Sequence, residues 1–352
     1  MANRLEYIDL LKVFSILAII TIHAFMVWKS AEILNGVVIY SFCEIVRFGV
    51  PVFIMVSGAL LLNREIEIVD FFKKKVNRIV VPFIFYYFLT AFIIVILLNS
   101  TNYQVENVLA FRWYFWMILG VYLSIPVINK YVQNSSFNEL RYFIAIFVFA
   151  SIFYQITYYF KIEQYLYLTL FLSPLGYLIL GYYLSKKDFA MSANKIVVLA
   201  LIIFIVSTAI KIWGHQFHFG TITKDFVANT SPILSSWVDV SIFEIMQASS
   251  FFLLCKYIYE SDAIPFRQIK NVLQTNLISK FVLSVSRSSY GMYLINLIPT
   301  FMFYHYVQPM DFTGTQICLL IIGLSLATFF STWIIVAILG KIPYIKNLSG
   351  YY

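Results

Sequence analysis

The chain has 352 residues, of which 61% are hydrophobic and only 12% are charged. Soluble domains carry about 25% charged residues, so this composition excludes a soluble globular protein. The net charge of +8 is spread over short segments between apolar runs, which argues against nucleic acid as a partner.

Ten apolar segments follow one another along the chain, and most approach the roughly 20 residues that a helix needs to cross a bilayer. They predict an all-α, polytopic integral membrane protein with about ten transmembrane helices. No Pro-rich, Ser-rich or Gly-rich linker interrupts the pattern, so we expect a single transmembrane domain over residues 1–352. The predicted helices cover residues 7–28, 37–62, 79–98, 112–128, 141–160, 165–185, 195–213, 240–258, 284–304 and 315–338.

The basic residues set the predicted orientation, because positive residues in short loops stay in the cytoplasm. When alternate connections are taken as cytoplasmic, Lys and Arg on that side outnumber those on the other side by roughly four to one. An extra or a missing crossing would destroy this asymmetry in every later loop. The count therefore predicts that both termini are cytoplasmic.

Sequence signatures of soluble enzymes are absent from the chain. It contains no P-loop, HExxH, GxSxG or dinucleotide-binding motif. Cys43, Cys255 and Cys318 lie in or beside apolar segments without CxxC spacing, so we expect packing residues and neither a disulfide nor a metal site. Candidate chemistry must therefore be sought among the polar residues inside the predicted helices.

Ionisable side chains inside helices are costly in a bilayer, on the order of 3 kcal/mol each, and normally face a protein interior or an aqueous cavity. Asp9, Lys12 and His23 fall on one stripe of the first predicted helix, because their spacings are close to whole turns. Glu44 and Arg47 lie one turn apart on the second. A short hairpin joins these helices, so His23 and Glu44 are predicted at comparable depth.

These residue types suggest proton-transfer chemistry. Histidine takes and returns a proton near neutral pH, so His23 is a candidate general base. Glu44 could orient the imidazole ring, and Arg47 could balance the buried acid or stabilise an oxyanion. The alternative is an interhelical hydrogen-bond network that only fixes packing, with Lys12 extending its amine to the cytoplasmic interface.

Several segments resemble the membrane acyltransferase-3 family, which includes bacterial O-acetyltransferases of surface polysaccharides. The first resembles the opening motif of the family, YIDLLK at residues 7–12 followed by His23, with Lys12 where Arg is commoner. Further segments resemble later motifs of the family in chain order, at residues 47–58, 75–82, 112–126, 180–183 and 289–294. The likeness spans nearly the whole chain.

The resemblance implies transfer of an acyl group, usually acetyl, from cytosolic acetyl-CoA to a hydroxyl of a cell-surface or lipid-linked glycan. It implies His23 as general base or transient acyl carrier, oriented by Glu44 and assisted by Arg47 at the oxyanion or the CoA arm. Multi-pass insertion in the bacterial cytoplasmic membrane is expected. The residues expected to bind the donor are Lys12, Asp9, Lys75, Arg78 and Arg287.

One position departs from the family pattern. Many members carry a histidine at the end of the motif that begins at Ser289, whereas this chain has Asn296, which forms hydrogen bonds but does not titrate.

An exporter or flippase of an exopolysaccharide or lipid-linked glycan would use the same buried charges to line a pathway. A role in assembling polysaccharide-synthesis proteins is a third alternative. Membrane lipid is an expected partner in each case.

Overall fold

The computed structural model describes residues 6–29, 36–97, 113–159, 171–218, 241–307 and 314–352. Within these ranges every regular element is a helix and no strand occurs, which confirms the predicted all-α class. A π-helix at Phe72–Val76 separates α4 from α5. The α-helices are α1 (Glu6–Lys29), α2 (Gly36–Val46), α3 (Gly49–Leu61), α4 (Ile68–Phe71), α5 (Asn77–Leu97), α6 (Trp113–Asn134), α7 (Phe137–Tyr159), α8 (Pro174–Lys186), α9 (Ala193–His218), α10 (Ile242–Ile258), α11 (Ile264–Leu273), α12 (Asn276–Ile295), α13 (Leu297–Tyr306) and α14 (Gly314–Leu339).

Seven stretches of the described helices are long and apolar enough to cross a membrane. They are Glu6–Ala24, Ser41–Leu61, Ile68–Ile93, Trp113–Asn134, Phe137–Ile156, Ala193–Trp213 and Cys318–Leu339. The other three predicted crossings correspond to α8, to α10 and to α12 with α13. Because α8 has 13 residues and α10 has 17, neither reaches the usual length of a crossing by itself. The total of ten crossings and the cytoplasmic termini stay predictions.

Some predicted helices differ from the observed ones in their internal breaks. The segment predicted at 37–62 divides into α2 and α3 at a turn formed by Arg47 and Phe48. The segment predicted at 284–304 starts earlier, at Asn276, and divides at Asn296. Helix α11 has no counterpart among the predicted crossings, because it is short and polar on one side. The first residues of the segment predicted at 165–185 lie outside the described residues.

The helices group into two compact units, and α1 contributes to both. The first unit comprises Met1–Ser15, Arg47–Glu65 and Ser124–Ser279. Within this unit, α3 packs closely against α8. A Cβ added at Gly58 would lie 1.8 Å from the Leu178 carbonyl oxygen, and one at Gly181 would lie 2.1 Å from that of Met55. Glycine is required at both positions because the two backbones touch.

The second unit comprises Ile16–Val46, Ile66–Leu123 and Lys280–Tyr352. Aromatic contacts hold its helices together. The rings of Phe83 on α5 and Phe115 on α6 stack with centroids 3.4 Å apart. Trp333 on α14 donates a hydrogen bond from Nε1 to Ser284 Oγ on α12 at 3.0 Å. This unit contains the second half of α1, and with it His23.

Candidate active site

His23 lies in the second unit, on the buried side of α1, with 7% of its surface exposed. Its Nδ1 is 2.7 Å from Oδ1 of Asn296, which is fully buried between α12 and α13. Two polar side chains that are 273 positions apart in the sequence therefore form a direct, buried hydrogen bond between helices. Asn296 is the position at which the sequence departs from the family pattern described above.

The side-chain amide of Asn296 determines which nitrogen of His23 carries a proton. Asn296 Nδ2 donates a hydrogen bond to the backbone oxygen of Tyr293 at 2.5 Å, so Oδ1 is the atom that faces His23. An amide oxygen only accepts, so this orientation of the amide assigns the donor role to His23 Nδ1. In the neutral ring the other nitrogen, Nε2, then carries the lone pair and can accept a proton.

Two tyrosine rings lie on one side of this hydrogen-bonded pair. The Tyr293 ring lies with its centroid 6.3 Å from that of His23. The Tyr114 ring contacts Tyr293 edge-on, at 4.8 Å and 61°. Behind Asn296, the Thr300 hydroxyl donates to the Asn296 backbone oxygen at 2.8 Å. The pair is therefore held in a buried, aromatic environment, where a fixed hydrogen bond is stronger than it is in water.

A basic cavity of about 710 Å³ lies in the same unit, between α5, α12 and the segment that follows α14. Its lining residues are Asn77, Arg78, Val81, Arg287, Lys346, Asn347, Tyr351 and Tyr352. Three of these side chains are cations, and none of the described lining residues is acidic. Arginine and lysine recognise phosphate through charge-assisted hydrogen bonds, so the cavity suits a phosphorylated ligand.

Contacts between α5, α12 and the C-terminal segment build this cavity. The Tyr290 hydroxyl on α12 donates to the Ile79 backbone oxygen on α5 at 2.7 Å, which brings Arg287 and Arg78 to the same side. The Tyr352 backbone nitrogen donates to the Arg287 oxygen at 2.9 Å. The Arg78 guanidinium lies 5.1 Å from the centre of the Tyr352 ring. Burial raises the pKa of Tyr352 and Arg78 opposes that rise, so the phenol is a neutral donor at physiological pH.

The C-terminal segment reaches α12 because two glycines meet there. Gly350 has a φ of +70°, and a Cβ added to Gly291 would lie 2.2 Å from the Ser349 backbone oxygen. The Tyr86 hydroxyl donates to that same oxygen at 3.0 Å. A side chain at Gly291 would therefore displace the segment that supplies Lys346 and Tyr352 to the cavity.

We expect Gly291→Ala to weaken binding of a phosphorylated ligand and to lower the thermal unfolding midpoint. Alanine in a helix usually gains about 1 kcal/mol over glycine, but the clash with Ser349 outweighs that gain here. Gly323→Ala on α14 is the matched control, because a Cβ there meets nothing within 4 Å. An equal or higher midpoint in Gly291→Ala than in the control would contradict the packing argument.

The sequence of the chain matches the family profile described as an acyltransferase domain over residues 5–338. The chain belongs to the acyltransferase-3 family. This match confirms the resemblance drawn from the separate motifs, and with the seven apolar helices it supports a multi-pass membrane acyltransferase. No curated protein and no solved structure matches the chain.

The remaining residues proposed for acyltransferase-3 catalysis lie on two elements. Glu44 is buried on α2, with 2% of its surface exposed, and belongs to the same unit as His23. Arg47 is half-buried in the turn after α2 and belongs to the first unit. The partner that holds Nδ1 of His23 is Asn296. The orienting role of Glu44 and the oxyanion role of Arg47 stay predictions.

The residues predicted to bind the donor fall into two groups. Arg78 and Arg287 line the basic cavity together, although the sequence separates them by more than 200 positions. Lys75 lies in the π-helix three residues before Arg78 and is not one of the lining residues. Asp9 and Lys12 lie on α1 within the first unit and are half-buried. Their roles toward a donor stay predictions.

Sequence reasoning missed most of the cavity. Asn77 and Val81 fall within the motif at residues 75–82 but were not proposed to bind a ligand, and the candidates did not include Lys346, Asn347, Tyr351 or Tyr352. The one available signal was the cluster of polar and aromatic residues after the last apolar segment, KNLSGYY at residues 346–352. That cluster contains a lysine, two amide or hydroxyl side chains and two phenols, which are suitable contacts for a phosphorylated ligand.

A second buried polar cluster, in the first unit, was also missed as a group. Lys211 on α9 forms an ion pair with Glu244 and donates a hydrogen bond to Gln247 Oε1 at 2.8 Å. Gln247 in turn donates to the Thr208 hydroxyl at 2.7 Å. All four side chains are less than 10% exposed. The cluster joins α9 to α10, because each charge would be costly inside the helices without its partners.

Proposed function

We propose that the protein transfers an acyl group, most often acetyl, from cytosolic acyl-CoA to a hydroxyl of a cell-surface or lipid-linked glycan. The observation that carries this proposal is the hydrogen bond from His23 Nδ1 to Asn296 Oδ1. It holds the ring in the tautomer in which Nε2 is the base. Membership of the acyltransferase-3 family supports the reaction class.

In this mechanism His23 acts on the acceptor. Nε2 removes the proton from the acceptor hydroxyl while the hydroxyl oxygen attacks the thioester carbonyl carbon of the donor. The carbon–sulfur bond then breaks, and the departing CoA sulfur takes the proton from Nε2. The products are an ester on the glycan and the free thiol of CoA. Asn296 stabilises the imidazolium formed in between, because its oxygen continues to accept from Nδ1.

The basic cavity is the proposed site for the phosphates of the donor. Arg287 lies on α12 nine residues before Asn296, which corresponds to a rise of about 14 Å along the helix. The flexible pantetheine arm of CoA is long enough to span a distance of about 14 Å. Phosphates bound by Arg78, Arg287 and Lys346 would then allow the thioester to reach the neighbourhood of His23.

Turnover of acetyl-CoA by the purified full-length protein tests this function. With the native glycan acceptor, we expect free CoA thiol and acylated glycan to form in equal amounts, measured with a thiol reagent and by mass spectrometry. An exporter or flippase would move the glycan without releasing thiol. Thiol release no faster than that without protein, together with transport of the glycan into vesicles, would overturn the proposal.

We expect Asn296→Leu to lower kcat about tenfold while the KM for the donor changes little. Leucine has a similar shape but cannot accept the hydrogen bond from His23 Nδ1, so the tautomer is no longer fixed. Asn296→Asp keeps an acceptor oxygen in place and should retain more activity than the leucine variant. Equal loss in both variants, or a loss confined to the KM for the donor, would show that Asn296 does not position His23.

A further inference from the structure

Helix α11 is too short to cross a membrane, and it lies on the outside of the first unit. Its ten residues give a length of about 15 Å, and none of them is buried. It connects α10 to α12. Its Phe266 side chain packs against the apolar cluster formed by Ile196, Val197 and Tyr257.

Hydrogen bonds fix α11 at both ends. At its start, Asn194 Oδ1 accepts from the Ser261 hydroxyl at 2.5 Å and from the Ala263 backbone nitrogen at 3.1 Å. At its end, Gln274 Nε2 donates to Glu6 Oε2 on the first turn of α1 at 3.3 Å. Because Asn194 and Glu6 lie in the first turns of α9 and α1, the helix is held across the ends of two membrane-spanning candidates.

Apart from Ile264 in its first turn, which is also exposed, the outer surface of α11 has an apolar side and a polar side. At about 100° per residue, Pro265, Ile269 and Val272 fall within an arc of about 60°. Ile269 and Val272 are 43% and 54% exposed, although both are large hydrophobic residues. Arg267 and Asn271 lie on the opposite arc and are exposed as well. A helix of this kind is typical of the boundary between lipid and water.

The charge of this segment is positive. Residues 263–279 contain Arg267 and Lys270 and no acidic residue, while Glu260 and Asp262 lie in the turn before the helix. Within the part of the chain that the structure describes, neither cation forms an ion pair. A helix with an apolar strip on one face and unpaired cations on its other faces is complementary to acyl chains beneath anionic headgroups.

We infer that α11 is a membrane-surface helix that binds anionic phospholipid, with Ile269 and Val272 among the acyl chains and Arg267 and Lys270 at the headgroups. Lipid is favoured over a protein partner because α11 is fixed to the ends of apolar helices, and because Leu277 at the start of α12 is also a largely exposed apolar residue. The binding fixes the depth of the first unit at the membrane surface. It requires no acyl transfer and so stands apart from the proposed function.

Fluorescence quenching in proteoliposomes tests the apolar side. A fluorophore is attached to the full chain through Ile269→Cys or Asn271→Cys, two positions on opposite faces, in a Cys318→Ser background because Cys43 and Cys255 are buried. Lipids brominated on the acyl chain should quench the label at position 269 several-fold more than that at position 271. Equal quenching at both positions, or none, would overturn the inference and favour a protein partner on this face.

Lipid retention tests the charged side. Purified protein from bilayers of phosphatidylglycerol and phosphatidylcholine is examined by native mass spectrometry for the ratio of bound lipids. Arg267→Gln with Lys270→Gln should lower the preference for phosphatidylglycerol about tenfold. Lys130→Gln with Lys186→Gln is the matched control, because it removes two exposed cations from α6 and α8. An equal ratio in both double variants would overturn the inference.

Discussion

Replacing His23 with glutamine should lower kcat by about a hundredfold or more, the size of effect expected for loss of a general base. Glutamine can still donate a hydrogen bond to Asn296 Oδ1 but cannot take a proton from the acceptor. The variant therefore separates the chemical role of His23 from a role in packing. The measurement is the rate of glycan acylation at saturating acetyl-CoA, with donor binding measured separately by calorimetry.

Two outcomes make this test decisive. His23→Ala should lose as much activity as His23→Gln, and both variants should bind acetyl-CoA as the parent protein does. Thr332→Val is the control for a change in buried polarity, because the partners of its hydroxyl among the described residues are carbonyl oxygens of its own helix, α14. If His23→Gln kept a rate close to that of the parent, His23 would serve packing rather than proton transfer.

Replacing Arg78 or Arg287 with glutamine should raise the KM for acetyl-CoA by about tenfold to a hundredfold, with kcat changing much less. Each variant would lose a hydrogen bond between an arginine and a charged phosphate, which contributes about 1.5–3 kcal/mol to the binding free energy. The proton transfer at His23 does not depend on these contacts. Initial rates over a range of acetyl-CoA concentrations separate the two parameters.

The donor itself provides a sharper version of this experiment. Acetyl-dephospho-CoA lacks the 3′-phosphate, so a variant of the arginine that binds this group should no longer distinguish the two donors. Lys74→Gln is the matched control, because Lys74 is exposed, pairs with Asp70 at 3.6 Å and does not line the cavity. An unchanged donor KM in both arginine variants and in Lys346→Gln would remove the cavity from the donor site.

The two proposed sites were accessible from the sequence to different degrees. His23 stands out because a titratable residue in an apolar helix needs a reason to be there. Its partner could not be assigned in the same way, and the hairpin between the first two helices favoured Glu44. Only the packing of α1 against α12 places Asn296 at Nδ1 of His23. In the sequence alone, Asn296 is only a departure from the family pattern.

Composition and hydrophobic length by themselves determined that this chain is helical and membrane-spanning, and the order of its motifs indicated its family. These properties are local, because each helix satisfies its own backbone and each apolar run meets the bilayer independently. Tertiary structure decided the contacts between distant segments: Asn296 on His23, and Lys346 and Tyr352 beside Arg78 and Arg287. Such contacts depend on how helices pack and on where a glycine such as Gly291 lets two backbones meet. No periodicity along a single segment encodes them.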